Sequence, residues 1–398
     1  MTLPSLPLIL FDASPVLGTS GHRGIGRFID DLLIALQLTR AEWEGRLRIE
    51  ALVRFDGGAN GKTVVRTSDL NAAADETRAL RGKGGDDLAR TRRLHLDAEA
   101  RRAGADLLHQ SEAIGTPLWS HVPRVVTCFD LIPVRLWEQY LHSRVRREAR
   151  RLIEWRRYGR AARVLACSQK TCDELVSLLH LKRERIDLVP LGIDLGRWSA
   201  VAAEDDAPRR AALGVGGRPY VVYAGYCDHR KGVDSMFEAV ARASRTAEVD
   251  LLWVGKLLDS DLEPLRARAR SAGMLDRLRL LGYVTDADLA ALYRGAAAHL
   301  FLSRLEGFGL SVAEALACGC PVILVRGAGA DEVAAETGWL VEPDDADAAA
   351  RGIEAFVHDE PLRRARVEAG LVRVQRFERR IMARAYVTSW LRVLASLR

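Results

Sequence analysis

The chain has 398 residues, 48% hydrophobic and 28% charged, a globular balance long enough for two or three domains. That apolar share excludes a disordered chain, no apolar run approaches the roughly 18 residues of a membrane span, and six scattered cysteines without a Cys-x-x-Cys pair argue against a disulfide scaffold or a zinc site. The formal net charge is +6, and the segment Ser143–Arg163, with nine arginines against two glutamates, accounts for all of the excess.

The first apolar run, Leu6–Phe11, lacks preceding basic residues and is too short for a secretory leader, so a cytoplasmic protein is expected. Short β-branched runs then alternate with amphipathic helical stretches. In the first half the predicted strands are Leu8–Phe11, Ile49–Phe55, Asp106–His109, Arg124–Cys128 and Val164–Cys167, with a helix at Ile25–Leu38. The glycine-, aspartate- and threonine-rich stretch Asp56–Gly85 is expected to be a surface loop or insertion. In the second half the strands are Tyr220–Ala224, Asp250–Val254, Arg277–Leu281, His299–Leu302, Pro321–Val325 and Trp339–Val341. Helices are predicted at Lys231–Ala243, Leu262–Ala272, Asp286–Arg294 and Ser311–Ala317. Alternation of this kind builds parallel sheets with right-handed crossovers. Two series in one chain predict an α/β protein of two doubly wound, Rossmann-like domains. The Ala-, Gly- and charge-rich stretch Ala200–Arg218 is the expected connection between them.

Two glycine motifs mislead. In Gly57–Thr63, the first glycine of a phosphate loop would have to stand at Asp56, so ATP hydrolysis is disfavoured. Gly21, Gly24 and Gly26 are in the wrong order for a dinucleotide fingerprint, which disfavours NAD chemistry. A glycine-rich turn, Thr19–Phe28, does remain between the first strand and helix, where bare backbone and a helix N-terminus suit a phosphate or sugar. In Ser143–Arg163, Val145, Ala149, Leu152, Gly159 and Ala162 recur at helical spacing. One reading packs that face on a sheet; the other offers the arginines to an anionic membrane surface or a phosphorylated acceptor. Nucleic acid is not expected, because no aromatic-interleaved motif accompanies the charge.

The richest chemistry lies in Ser303–Ile323. Glu306 follows a strand, Gly307 and Gly309 flank Phe308, a helix starts near Leu310, and Glu314 lies on it. Carboxyl ends of parallel strands are where open α/β sheets bind ligands, and helix-terminal amides suit a diphosphate. In Tyr220–Val233 a strand ends at Ala224–Gly225 and leads to Arg230 and Lys231 at a helix start. A cation there is unfavourable to the helix dipole unless an anion binds between them.

Together these residues resemble a family. Glu306 to Glu314, E-G-F-G-L-S-V-A-E, looks like the E-x7-E motif of retaining glycosyltransferases of family 4, and Ala-Cys-Gly-Cys-Pro-Val at 317–322 continues it. The resemblance extends to His-Arg-Lys-Gly around Lys231, to LGYV at 281–284, VPLGID at 189–194 and GIGRF at 24–28, and so covers essentially the whole chain. It implies the GT-B architecture, two Rossmann-like domains facing a cleft. Residues 1–199 would form the acceptor-binding domain, joined by a returning helix at 377–398, and residues 200–376 the nucleotide-sugar domain. It implies that Lys231 neutralises the donor diphosphate with Arg230 and Gly225 nearby, that Glu306 holds hydroxyls of the transferred sugar, and that Glu314 holds the ribose. Gly307 and the backbone of Phe308, Gly309 and Leu310 would meet sugar and phosphates, and Tyr283 and Val284 would border the base. Gly24 and Gly26 would approach the donor phosphates, and Asp130 would be a catalytic-site residue. Phe129 stands where the family often has a histidine before that aspartate, and Gly225 and Tyr226 stand where many members carry an arginine.

The resemblance thus implies hexosyl transfer from a nucleotide-diphosphate sugar to a glycan or lipid-linked acceptor, as in bacterial mannosyl- and rhamnosyltransferases of surface polysaccharides. No cofactor or metal is implied, since Lys231 and a helix terminus would supply the electrostatics. The alternatives are a non-catalytic subunit that binds nucleotide sugar or glycan, or an epimerase or phosphorylase of the same architecture.

Overall fold

The computed structural model describes residues 6–18, 24–58, 61–83, 88–117 and 119–397, with backbone alone at 55–58 and 61–64. The chain divides into two compact units, Met1–Gly192 with Phe377–Arg398, and Ile193–Arg376.

Unit one holds a seven-stranded sheet of β1 (Leu8–Asp12), β2 (Arg48–Gly58), β3 (Gly61–Thr67), β4 (Leu107–Gln110), β5 (Arg124–Cys128), β6 (Arg163–Ala166) and β7 (Ile186–Leu188). The spatial order is β3-β2-β1-β4-β5-β6-β7, parallel throughout except for β3 against β2. β1, β4 and β5 are buried at every position, as strands covered by helices on both faces must be. Unit two holds β8 (Tyr220–Ala224), β9 (Asp250–Val254), β10 (Leu278–Gly282), β11 (Ala298–Phe301), β12 (Val322–Val325) and β13 (Trp339–Val341), all parallel, in the order β10-β9-β8-β11-β12-β13. Strand order reverses between β1 and β4 in unit one and between β8 and β11 in unit two. Those reversals open the crevices where doubly wound sheets take ligands.

Three expectations are corrected. The stretch Asp56–Gly85 is not a loop. β2 and β3 form an antiparallel hairpin in which Lys62 pairs with Gly57, and a helix follows at Leu70–Leu80. Asp69 caps that helix by accepting from the amides of Asn71 and Ala72, and Leu70, Ala73, Ala74 and Thr77 are its buried face. Polar composition hid both elements, because a hairpin end needs little apolar surface and alanine carries the helix.

The units do not divide at Ala200–Arg218. The chain crosses at Gly192 and Ile193, and the later stretch belongs to unit two, where it forms helix Asp206–Ala212. An ion pair from Arg294 to Asp206, each side chain about 10% exposed, pins that helix to its unit.

The third correction concerns Ser143–Arg163. It forms helix Arg144–Gly159, but the face expected to pack is the exposed one. Val145 is 79% exposed, Leu152 50%, Ile153 45% and Trp155 44%. The buried side consists of Tyr158, which joins the core around Cys128, Val126 and Leu175, and Glu154, which Arg150 and Arg157 neutralise at 2.6 and 2.8 Å. Once paired, a carboxylate can be buried, so this face displaced the more apolar one.

In unit one the last helix, Arg379–Ser396, packs on helix Gly24–Leu38 and on the sheet. His109 on β4 organises that contact. Trp390 Nε1 donates to its Nδ1 at 3.0 Å, Thr127 Oγ1 lies 3.1 Å from its Nε2, and Tyr386 bonds Thr127 at 3.0 Å. Gly192 passes close beneath this helix, where an added Cβ would meet the Arg379 backbone at 2.6 Å. An internal ion pair, Arg92 on Asp12 at 2.8 Å, holds helix Leu88–Arg102 to the end of β1, both side chains being almost fully buried.

Candidate active site

The predicted donor residues of unit two converge at the β8/β11 switch point. After β8 the chain makes a short 3-10 turn, His229–Lys231, capped by Asp228. Gly232 then takes a left-handed conformation with φ +65, and helix Val233–Ala243 begins. Lys231 therefore precedes the helix instead of starting it. Gly232 is required twice over, by its φ and because a Cβ would stand 2.2 Å from the Leu302 carbonyl oxygen. That close approach brings the turn against the segment after β11. The Arg304 amide donates to the Arg230 carbonyl at 2.7 Å, and the Glu306 amide donates to Ala328 at 2.6 Å.

Glu306 is the centre. Its Oε1 accepts from Lys231 Nζ at 2.6 Å, from Arg230 at 2.5 Å and from the Ser303 hydroxyl. Arg230 is turned inward and also donates to the Leu305 carbonyl at 2.8 Å. Lys231 Nζ lies 5.1 Å from the centre of the Phe301 ring. Burial raises the Glu306 carboxyl, but Lys231 and Arg230 outweigh burial and hold it below its ordinary value. Lys231 is lowered, by burial first and then by repulsion from Arg230, despite the attraction of Glu306. Two cations share one carboxylate oxygen, so the lysine ammonium is short of negative charge.

The rest of the switch point is bare backbone and helix terminus. Gly225, at the end of β8, donates to the Val254 carbonyl at 2.9 Å, and a Cβ there would meet the Tyr223 hydroxyl at 2.5 Å. After Glu306, Gly307 and Phe308 are buried. Gly309 at φ +103 opens helix Leu310–Ala317, so Leu310 supplies its first free amide. Glu314 lies in the second turn of that helix and is 1% exposed. His299 on β11 ties the helix to the sheet. Its Nδ1 donates to the Val222 carbonyl at 2.9 Å, leaving Nε2 to accept from the Ser311 hydroxyl at 3.3 Å. Val284 is buried and Tyr283 is 78% exposed, both beyond the edge strand β10.

Asp130, Gly24 and Gly26 belong to unit one. Asp130 follows β5, where its Oδ1 accepts from the Ile132 amide at 3.0 Å just before the short helix Ile132–Arg135. Gly24 and Gly26 do not stand in a turn before the helix; they form the first turn of helix Gly24–Leu38, with Gly24 exposed and Gly26 buried, and Thr19–Arg23 lie outside the described residues. Phe129 packs edge-on against Phe28 of the same helix, 5.1 Å between ring centres, and its carbonyl accepts from the Cys167 thiol at 3.1 Å.

Sequence reasoning missed Ser303, Asp228 and the His299–Ser311 link. The spacing of Ser303 three residues before Glu306 was a usable signal for the first. The others depend on which strands are neighbours.

Two doubly wound sheets, one carrying this clustered switch point, define a two-domain protein of the GT-B architecture. The model described as "Glycosyl transferases group 1" matches residues 205–372, and the "Glycosyltransferase Family 4" model matches residues 63–197. Between them the two matches span both units, and they support a glycosyltransferase of the GT-B architecture similar to family 4. D-inositol 3-phosphate glycosyltransferase of Salinispora arenicola is 30% identical over 294 residues, 67% of this chain and 65% of that protein. O-antigen chain mannosyltransferase B of Escherichia coli is 27% identical over 274 residues, 65% of each. Mannosylfructose-phosphate synthase of Agrobacterium fabrum is 31% identical over 168 residues, 40% of this chain and 37% of that one. The matches thus span less than two thirds of these relatives' length.

Among solved structures, sucrose-phosphate synthase of Thermosynechococcus elongatus superposes with a TM-score of 0.74 at 22% identity, covering 98% of this chain and 100% of that one. HepE of Anabaena, in complex with UDP-glucose, gives 0.71 at 18% identity, covering 96% and 99%. At these identities the likeness is one of fold.

Proposed function

We propose that the protein is a retaining glycosyltransferase that moves a hexosyl group from a nucleotide-diphosphate sugar to a glycan or lipid-linked hydroxyl in surface-polysaccharide or glycoconjugate synthesis. The observation that carries this reading is the pairing of Lys231 and Arg230 with Glu306 at the β8/β11 switch point. A diphosphate entering there supplies the negative charge that the lysine lacks, while Glu306, anionic and oriented by Ser303, accepts from sugar hydroxyls. Amides at the start of helix Leu310–Ala317 add donors for the diphosphate, and Glu314 is assigned to the ribose. HepE was solved with UDP-glucose, which supports a nucleotide-sugar donor for this fold.

In the reaction the anomeric carbon–oxygen bond to the diphosphate breaks. A new bond forms from that carbon to the acceptor oxygen on the same face, and the acceptor proton passes to the departing phosphate. The leaving group gains negative charge as the bond stretches, and fixed cations already aimed at it lower the barrier. Lys231 and the helix terminus serve without a metal. Unit one is assigned the acceptor, with Asp130 just after the carboxyl end of β5. Helix Arg144–Gly159, with exposed Val145, Leu152 and Trp155 among arginines, is assigned to the surface of an anionic membrane. Among the described residues no helix is long and apolar enough to cross one.

The test is release of nucleoside diphosphate from a panel of UDP-, GDP-, ADP- and dTDP-sugars, with Glu306→Ala as control. One donor hydrolysed slowly by the native chain and spared by the variant is the expected result. A second reading, a donor-binding subunit without turnover, is favoured by Phe129, fixed against Phe28 where the family often has histidine. Calorimetric binding of a diphosphate, with no turnover across an acceptor panel, would select it.

A further inference from the structure

At the amino edge of the unit-one sheet, opposite the strand end that Asp130 follows, lies a pocket of about 280 Å³. Its wall is built where β5, β6 and β7 begin: Arg124 opens β5, Ala161 and Ala162 lead into β6, and Arg185 precedes β7. Trp119 is 75% exposed at the rim, and the Arg160 guanidinium stacks over its ring at 4.4 Å. Arg124 is 3% exposed.

Three guanidinium groups thus face one small volume. Arg124 donates only to neutral oxygens, Gln110 Oε1 and the Pro117 carbonyl, each at 3.3 Å. Arg185 donates to the carbonyls of Gly159, at 3.0 Å, and Ala161. Neither forms an ion pair among the described residues. The acid that Arg124 senses, Asp97, is engaged by Ser120 at 2.9 Å and by His121 at 2.8 Å. Burial, with repulsion from Arg160, brings the Arg124 pKa down to about 10, a cost that an anion in the pocket would relieve. Guanidinium forks match phosphate oxygens, and an indole face beside them suits the body of an organic phosphate. Arg160 directly follows helix Arg144–Gly159, whose outer face bears Val145, Leu152 and Trp155.

We propose that this pocket is a second ligand site, independent of the donor site, which binds a phosphate monoester or diester group through Arg124, Arg160 and Arg185 with Trp119 as its apolar wall. Two sources share that chemistry, a free organic phosphate and the headgroup of an anionic phospholipid beneath the neighbouring helix.

The experiment uses the full chain with Lys231→Ala as background, so that the donor site contributes less phosphate binding. Inorganic phosphate and glycerol 3-phosphate are titrated by calorimetry, and flotation is measured with phosphatidylcholine vesicles with or without phosphatidylglycerol. Arg160→Ala and Trp119→Ala alter exposed side chains, and unchanged circular dichroism would confirm that both still fold. Binding of the soluble phosphates that weakens about tenfold or more in Arg160→Ala supports a free-phosphate ligand. Phosphatidylglycerol-dependent flotation that both substitutions abolish supports a lipid headgroup. Absence of binding to every probe, or binding that both variants retain unchanged, overturns the proposal.

Discussion

Lys231 and Glu306 are coupled, and each makes a measurable prediction. Lys231 loses affinity for its proton because it is buried beside Arg230, and a bound diphosphate reverses that. In the alkaline range below the ordinary lysine value of 10.5, donor binding should therefore take up a proton. Calorimetry in buffers of different ionisation enthalpy reads that uptake, and a buffer-independent enthalpy would contradict the assignment. Lys231→Ala should lower donor turnover by roughly a hundredfold or more, the usual cost of losing one fixed charge aimed at a transition state. It should still fold, since Arg230 and Ser303 remain on Glu306. The folded-state pKa of Glu306 is depressed, so its contribution to stability is present above the unfolded value near 4.5 and is lost as pH falls through the folded one. The motif made these residues legible. The inward turn of Arg230 was not, because only the contact between two loops decides it.

At the scale of elements, Gly232 shows how a turn places a site. Gly232→Ala must accommodate a carbon 2.2 Å from the Leu302 carbonyl as well as a left-handed backbone. It should cost well over about 2 kcal/mol and displace Lys231. Gly217→Ala is the control: its φ is +84 but nothing lies within 4 Å, so only about 1 kcal/mol of backbone strain is expected. Thermal melts of the two variants make the comparison. Strands such as Tyr220–Ala224 and Asp250–Val254 were readable end to end, because buried parallel strands are continuous apolar runs. The β2–β3 hairpin and helix Leu70–Leu80 were not, since short polar-rich elements owe their stability to neighbours.

At the scale of the whole molecule, each unit buries a neutral histidine. Burial lowers His109 in unit one to about 3 and His299 in unit two to about 4. Below the unfolded value of 6.5 the unfolded chain binds protons that the folded one refuses, so stability must fall with pH. The slope is roughly 1.4 kcal/mol per pH unit for each histidine. Thermal melts from neutral pH to pH ~5 should show both units losing stability, and His109→Asn should flatten the loss in unit one only. The Asp12–Arg92 pair makes a related point. Asp12→Ala leaves the buried Arg92 guanidinium with only the longer, 3.6 Å pair to Glu112 and should destabilise unit one by about 3 kcal/mol, measured by chemical denaturation.

The sequence by itself determined two α/β sheets and the two loops that carry Lys231 and Glu306, because apolar periodicity and glycine placement act over a few neighbouring residues. Tertiary structure alone decided that the two loops meet, through the adjacency of β8 and β11. It also decided which face of helix Arg144–Gly159 is buried, since two arginines neutralise Glu154 and leave Val145 and Leu152 outside. The gathering of Arg124, Arg160 and Arg185 around one pocket has the same origin. Charges more than sixty residues apart in the chain become neighbours only when parallel strands bring their amino ends to one edge.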